Sequence, residues 1–344
     1  MIITAIDYMK IFVPWKASFE DPMRHWRAMS GTTPEEEDSY VVVQVHTDEG
    51  LVGLGEGGRS LDEAEEIGER LIGQNPMALD TFNMQPPFLH AVFDLMGQAL
   101  GVPVCQLLGG RYREQVPVAY WSPYLPPEET ARHAEEGIDL GFKVHKIKAR
   151  PWDCAAQVKA IAAAAGHEYA IRIDPNETLG LPAVTARIDD EIAAYNVECL
   201  EDPVPKARPE WYALLRQKCA TPLAIHTRDT AMILRMARLD AMDYVNVGGT
   251  PNQARAAAAV ADAAGCPVWV QFEGHCLDIA AAFNVHLGAA IPNATLPGDI
   301  LHFLREGYLS REPLIPADGL VAVPTAPGLG VELDQAAVER YRVA

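Results

Sequence analysis

The sequence lacks the features that would place it in several large classes of protein. No apolar run among its 344 residues reaches the roughly 18 residues that a membrane span needs. The first dozen residues, MIITAIDYMKIF, contain no basic segment followed by an apolar one and a small-residue cleavage site, so no signal peptide is expected. Basic residues are scarce: 28 Lys and Arg stand against 47 Asp and Glu, for a formal net charge of -19. Such a surface argues against nucleic acid or an anionic membrane as the main partner. It leaves room for an anionic small substrate, because a local cation can reverse the field inside a cleft. Cysteine is also sparse. The six residues Cys105, Cys154, Cys199, Cys219, Cys266 and Cys276 form no CxxC pair, and several lie in apolar runs. They read as buried thiols rather than disulfides or a zinc site, with a cytoplasmic location as the default.

What is present is enough apolar material, 49% of the chain, to fill one large core or two smaller ones. The first 60 residues read as strands. Residues 40–46 (YVVVQVH), a turn at Asp48-Glu49-Gly50 and the run LVGLGE ending at Glu56 make a hairpin. Before it, residues 14–38 are polar and aromatic, with Trp15, Phe19, His25 and Trp26, and read as a long irregular stretch that is functional or mobile. Residues 61–110 turn helical: SLDEAEEIGERLIG starts at a cap on Ser60, and FLHAVFDLMGQALG ends at Gly101.

From about residue 116 a new rhythm begins. Short apolar runs end near Ser122, Lys148, Asp174, Glu201, Thr227, Val247, Gln271 and Leu296, separated by alanine-rich helical segments such as CAAQVKAIAAAAG. Eight strands at regular spacing point to an α/β fold with a modified TIM (β/α) barrel, rather than to a doubly wound sheet. The expected organisation is an α+β capping domain over 1–115, the barrel over 116–316, and residues 317–344 returning to the cap.

In such a barrel the strand C-terminal ends converge on one face. Lys146 and Lys148 are two apart and point to the same side. Asp174, Glu201 and then His226 or Thr227 follow on the next three strand ends. A lone Lys-x-Lys is usually a solvated face, and a lone strand-end Asp is often a helix cap. Consecutive strand ends carrying these groups point instead to a site. Two adjacent carboxylates repel, and a divalent cation would relieve them. Two lysines beside each other are expected to lower one another's pKa, so that one serves as a neutral base near pH 7. A carboxylate substrate that loses its α-proton suits this arrangement.

At these residues the chain resembles the enolase superfamily, in its mandelate racemase and muconate lactonizing branch. The resemblance rests on the hairpin VVVQVHTDEGLVGLGEG, the segment HAVFDLMGQALGVPVCQLLGG, KIK at 146–148, DPN at 174–176, LEDP at 200–203 and the tail DGLVAVPTAPGLGVELD. It implies an α+β cap over the barrel, Mg²⁺, and a cap loop within 14–38 and a turn at 56–60 that close over a small carboxylate. Lys148 would be the base and Lys146 its electrostatic partner. Asp174 and Glu201 would be metal ligands, with Asn176 in support.

The sequence departs from that family's pattern in three places. The third acid ligand, on the fifth strand, is replaced by His226. Imidazole favours Mn²⁺, Fe²⁺ or Zn²⁺ over Mg²⁺, and His226 is alternatively an acid, base or substrate contact. The sixth strand carries no lysine, although Asp243 matches an aspartate that pairs with a catalytic histidine in the racemase type. The seventh strand has Gln271 where that histidine would stand; His275 and Glu273 follow on the loop. With lysines on one face only, dehydration of a hydroxy acid or acid sugar is the expected reaction. Racemisation, epimerisation and cycloisomerisation are the alternatives, and a Schiff-base barrel enzyme or a non-catalytic barrel a further one. Trp15, Arg59, Gln271 and Glu273 are the candidate substrate contacts. Beyond that substrate the expected partner is a further copy of the chain, in a homo-oligomer, with no nucleic acid and no membrane.

Overall fold

The computed structural model describes residues 1–272 and 276–344. An amino-terminal antiparallel sheet is built from β1 (Ile3–Ile11), β2 (Tyr40–Thr47) and β3 (Val52–Gly57) in the order β1-β2-β3. The hairpin expected from the sequence is β2–β3. The pleat sends alternate side chains of β2 to opposite faces. Val41, Val43 and Val45 pack with Phe88, Ala91 and Leu95 of the helix Phe88–Leu100, while Val42 joins the larger core. Full burial of a Val or Leu contributes roughly 1.5–3 kcal/mol, so both faces of this sheet stabilise the cap. The helix lies unusually close to β3 because of Gly53 and Gly55. A Cβ at Gly55 would lie 2.0 Å from the Pro87 carbonyl oxygen.

Residues 14–38 are not irregular. They form a helix, Ala17–Ala28, and a short one, Pro34–Glu37. The first buries Phe19, Met23 and Arg27, spaced by four. Pro22 and the polar composition obscured that period. Helix Leu61–Glu69 starts where expected, with Ser60 Oγ accepting from the Glu63 N–H, and helix Phe88–Leu100 stops at Gly101 in the left-handed region at φ 69°.

The second unit is a parallel sheet. In chain order its strands are β4 (Gln115–Ser122), β5 (Val144–Lys148), β6 (Ala170–Asp174), β7 (Val197–Glu201), β8 (Leu223–His226), β9 (Tyr244–Val247), β10 (Val268–Val270) and β11 (Gly298–Asp299). Among the described residues they pair in the order β10-β9-β8-β7-β6-β5-β4-β11. The eighth strand is therefore 298–299, not the run ending at Leu296. That run supplies only a single bridge, Ala294 to Val268, supported by the Leu296 N–H to the Val268 carbonyl at 3.2 Å. The bridge brings the segment before β11 against β10 and curls the sheet shut. Pro292 and Pro297 flank the run and limit its pairing.

The tail turns back across both units. β12 (Leu320–Ala322) pairs antiparallel with β4, the Leu329 N–H donates to Asp94 of the cap helix at 2.8 Å, and Arg342 bridges Ile11 of β1. No described helix is long and apolar enough to cross a membrane, and no disulfide forms among the described residues.

Candidate active site

The C-terminal ends of β5 to β8 carry the ionisable groups, and local backbone chemistry fixes each of them. On β5, Lys146 and Lys148 point into the barrel, while His145, just before Lys146, faces the other way and bonds Ser122 Oγ at 2.9 Å. At the end of β6, Asp174 accepts from the Asn176 N–H at 3.0 Å, a turn that Pro175 preorganises. Asn176 and Glu177 follow in the left-handed region, at φ 49° and 66°, as does Asp202 after β7, at 45°. Such positions are strained for residues with a side chain and cluster at functional sites. The Glu177 N–H donates to the Asp202 carbonyl at 2.7 Å, which ties two of these turns together.

The charges converge. Lys146 Nζ lies 2.9 Å from Glu201, 3.3 Å from Asp174 and 3.4 Å from Asp299. Lys148 Nζ donates to Asp174 at 2.5 Å. All but Lys148 are buried. Burial alone would lower the Lys146 pKa, but Asp299, Glu201 and Asp174 outweigh it and raise it well above the usual lysine range. The expectation that adjacent lysines depress each other therefore fails for Lys146, which is surrounded by carboxylates that adjacent positive charge cannot offset. Asp174 is pushed down: burial opposes ionisation, and Lys148 and Lys146 overcome it. Burial lowers the His226 pKa, so its imidazole is neutral at pH 7.

Above these groups lies a cleft of about 1050 Å³. Its floor includes Lys146, Lys148, Asp174, Asn176, His226, Gln271 and Asp299; its roof comes from the cap, with Trp26, Tyr40, Arg59 and the 57–58 glycine pair. Glu201 lies just beneath, with its Oε1 accepting from Asn246 Nδ2 at 2.8 Å. Arg59 reaches the cleft mouth while paired with Glu37 at 2.9 Å. Glu56 of β3 is fully buried at the cleft edge. It accepts from the Leu277 and Ala280 N–H groups, at 2.6 and 2.9 Å, at the start of the helix Asp278–Ala290.

Two candidates are placed elsewhere. Trp15 is buried between the units, with its ring 3.6 Å from the Arg305 guanidinium and its Nε1 donating to Asp38 at 3.0 Å. Trp26, on the following helix, takes the place in the cleft. Asp243 precedes β9 and so lies at the opposite end of the barrel. It pairs with Arg216 at 2.6 Å and accepts from the Leu223 N–H at 2.8 Å. Glu273 and His275 lie outside the described residues. Three residues of the cluster escaped the sequence reading: Asn246, the one polar side chain in the run YVNV; Asp299, in a strand too short to detect; and Asp202, masked by its neighbour Glu201.

A divalent cation fits this donor set. Glu201, Asp202 and His226 offer ligand atoms all within 4.8 Å of one another, and the imidazole is in the neutral form that a metal requires. Asp174, expected as a ligand, faces the same space but is engaged by the two lysines.

Comparison with known proteins agrees with this architecture. Residues 129–337 match the family described as Enolase C-terminal domain-like. Chloromuconate cycloisomerase of Cupriavidus pinatubonensis is 28% identical over 99% of both chains, and N-succinylamino acid racemase of Thermus thermophilus is 31% identical over 82% of this chain and 76% of its own. Further relatives are named hydrophobic dipeptide epimerase and D-galactonate dehydratase. The crystal structure of N-succinyl Arg/Lys racemase from Bacillus cereus superposes with a TM-score of 0.80 at 24% identity, covering 100% of this chain and 99% of that one. The chain thus belongs to the enolase C-terminal domain-like family, in the mandelate racemase and muconate lactonizing group. It is an enzyme of the isomerase or lyase type.

Proposed function

We propose that the enzyme removes the α-proton of a small carboxylate with Lys148 as the base, and that the reaction is dehydration of a hydroxy acid or acid sugar. The observation that carries this reading is the unequal setting of the two lysines. Lys146 is enclosed by three carboxylates and stays an ammonium, suited to hold a substrate carboxylate. Among the described residues Lys148 Nζ pairs only with Asp174, and it opens on the cleft, where it can accept a proton. A divalent cation held by Glu201, His226 and a carboxylate of Asp174 or Asp202 would supply positive charge to the enolate that forms. Mg²⁺ is the expected ion, with Mn²⁺, Fe²⁺ or Zn²⁺ favoured by the imidazole.

Just past the end of β10 the cleft is lined by Gln271, whose amide transfers no proton at neutral pH. One-base chemistry is the reading this favours, with the proton that Lys148 takes from the α-carbon passed on to the leaving hydroxide. The racemase, epimerase and cycloisomerase names of several relatives support a second reading, in which the opposite-face proton comes from another group. The two readings separate in D₂O with Mg²⁺ or Mn²⁺ present, on a panel of aldonic acids, N-succinyl amino acids and dipeptides. Dehydration releases a 2-keto-3-deoxy acid detectable with semicarbazide. Inversion of configuration with deuterium uptake and no keto product would overturn it.

A further inference from the structure

The cleft offers cations to a substrate at its floor and withholds them at its roof. Its volume of about 1050 Å³ leaves room for a substrate group well beyond the reacting carbons. On the barrel side Trp121 borders that room. It pairs in register with Lys146 on the neighbouring strand, so its indole leaves the sheet on the same face as the ammonium. Trp26 of the cap meets it edge to face, with ring centroids 6.5 Å apart. The Arg150 guanidinium lies 5.7 Å from the Trp26 ring and steadies it without itself lining the cleft. The two indoles thus form a wall beside the lysines.

Among the described residues two cations of the cap line the cleft, Arg27 and Arg59, and both are engaged. Arg27 is buried and reaches Asp38 through Nη2 and, at 3.4 Å, through Nε. Asp38 is itself fully buried, so stripping it of that partner would leave an uncompensated charge. Arg59 is tied twice to Glu37: Nε donates to its carbonyl and Nη2 to its carboxylate, each at 2.9 Å. Glu63 adds a negative charge to the same cleft. A first carboxylate on the substrate meets Lys146 and Lys148. A second one, on the distal group, could gain a cation at the roof only by displacing Asp38 or Glu37.

We infer that the substrate is a monocarboxylate whose distal part is uncharged and lays an apolar or ring face on the Trp26–Trp121 wall, and that diacids are rejected. This names the substrate class for the α-proton reaction proposed above and rests on it. The test is α-proton exchange in D₂O with Mg²⁺ or Mn²⁺, followed by proton NMR on acids paired to differ only in distal charge: gluconate with glucarate, galactonate with galactarate, and 3-phenyllactate with its 4-carboxy derivative. The monoacid of each exchanging pair should show a kcat/KM about 30-fold above that of the diacid. Glu37→Gln frees the Arg59 guanidinium and should narrow that ratio about fivefold. Trp26→Ala should raise KM for the monoacid about tenfold with kcat nearly unchanged, and Trp26→Phe, which keeps a ring, should recover most of the loss and shows that the cap still folds. A diacid that exchanges as well as its monoacid overturns the inference and leaves the lysine chemistry standing. An unchanged ratio in Glu37→Gln, or an unchanged KM in Trp26→Ala, does the same. No exchange with any acid of the panel overturns the proton-abstraction reading and this inference together.

Discussion

The two ends of the barrel carry the same kinds of residue and use them differently. At the N-terminal end Asp243 meets Arg216, which also binds the exposed Asp240, in a partly solvated cluster. At the C-terminal end Lys146, Asp174, Glu201 and Asp299 are almost wholly buried and share one ammonium among three carboxylates. Water screens the first cluster, so its pairs contribute about 1 kcal/mol or less. In the second, burial amplifies every charge and shifts the Lys146 and Asp174 pKa values strongly in opposite directions. Residue type alone does not distinguish a structural ion pair from a reactive one; enclosure does.

Mutations at the two ends should break this comparison or sharpen it. Lys148→Ala is expected to have the largest effect, a loss of roughly 10³-fold in α-proton exchange without loss of fold, measured by proton NMR in D₂O. Exchange that survives would remove Lys148 as the base.

Glu56, buried under the cap, gives a pH test. Burial, against the N–H groups of Ala280 and Leu277, raises its pKa from 4.5 to about 7. The folded state then binds a proton that the unfolded chain releases. Its contribution is fully present below pH 4.5 and is lost as pH rises through 7. Glu56→Gln should flatten a slope that amounts to about 3 kcal/mol over this window, seen in urea titrations at several pH values. An unchanged slope would locate the titration elsewhere.

Asn246→Leu removes the amide that orients Glu201 and should cost about 10- to 100-fold in Mn²⁺ affinity. The smallest effect is expected three residues earlier, at Asp243. Asp243→Ala should leave exchange and cation affinity unchanged and lower stability by about 1 kcal/mol, through the lost bond to the Leu223 N–H. A large loss of activity there would contradict the division between the two ends.

Much of the architecture was legible because burial imposes a period. The runs KVHKIK, YAIRID and VECLE are apolar where they pack, and each ends on the polar group that faces the cleft. Lys146, Lys148, Asp174, Glu201 and His226 could be placed by that rule. The eighth strand could not, since two residues, Gly298 and Asp299, have no measurable period. Trp15 and Trp26 are eleven residues apart with the same aromatic character. Only packing sends the first beneath Arg305 and the second into the cleft. Asp243 looked like a site residue by similarity of position, but it enters its strand rather than leaving it.

By itself the sequence determined the alternation of strand and helix, the barrel, and the strand ends on which chemistry could sit, because these follow from local periodicity. The tertiary structure decided which charges meet. Asp299 lies 153 residues from Lys146 in the chain, and Asn246 lies 45 from Glu201. Ion pairing and desolvation depend on distance in space, and only the closure of the barrel brings those groups within reach.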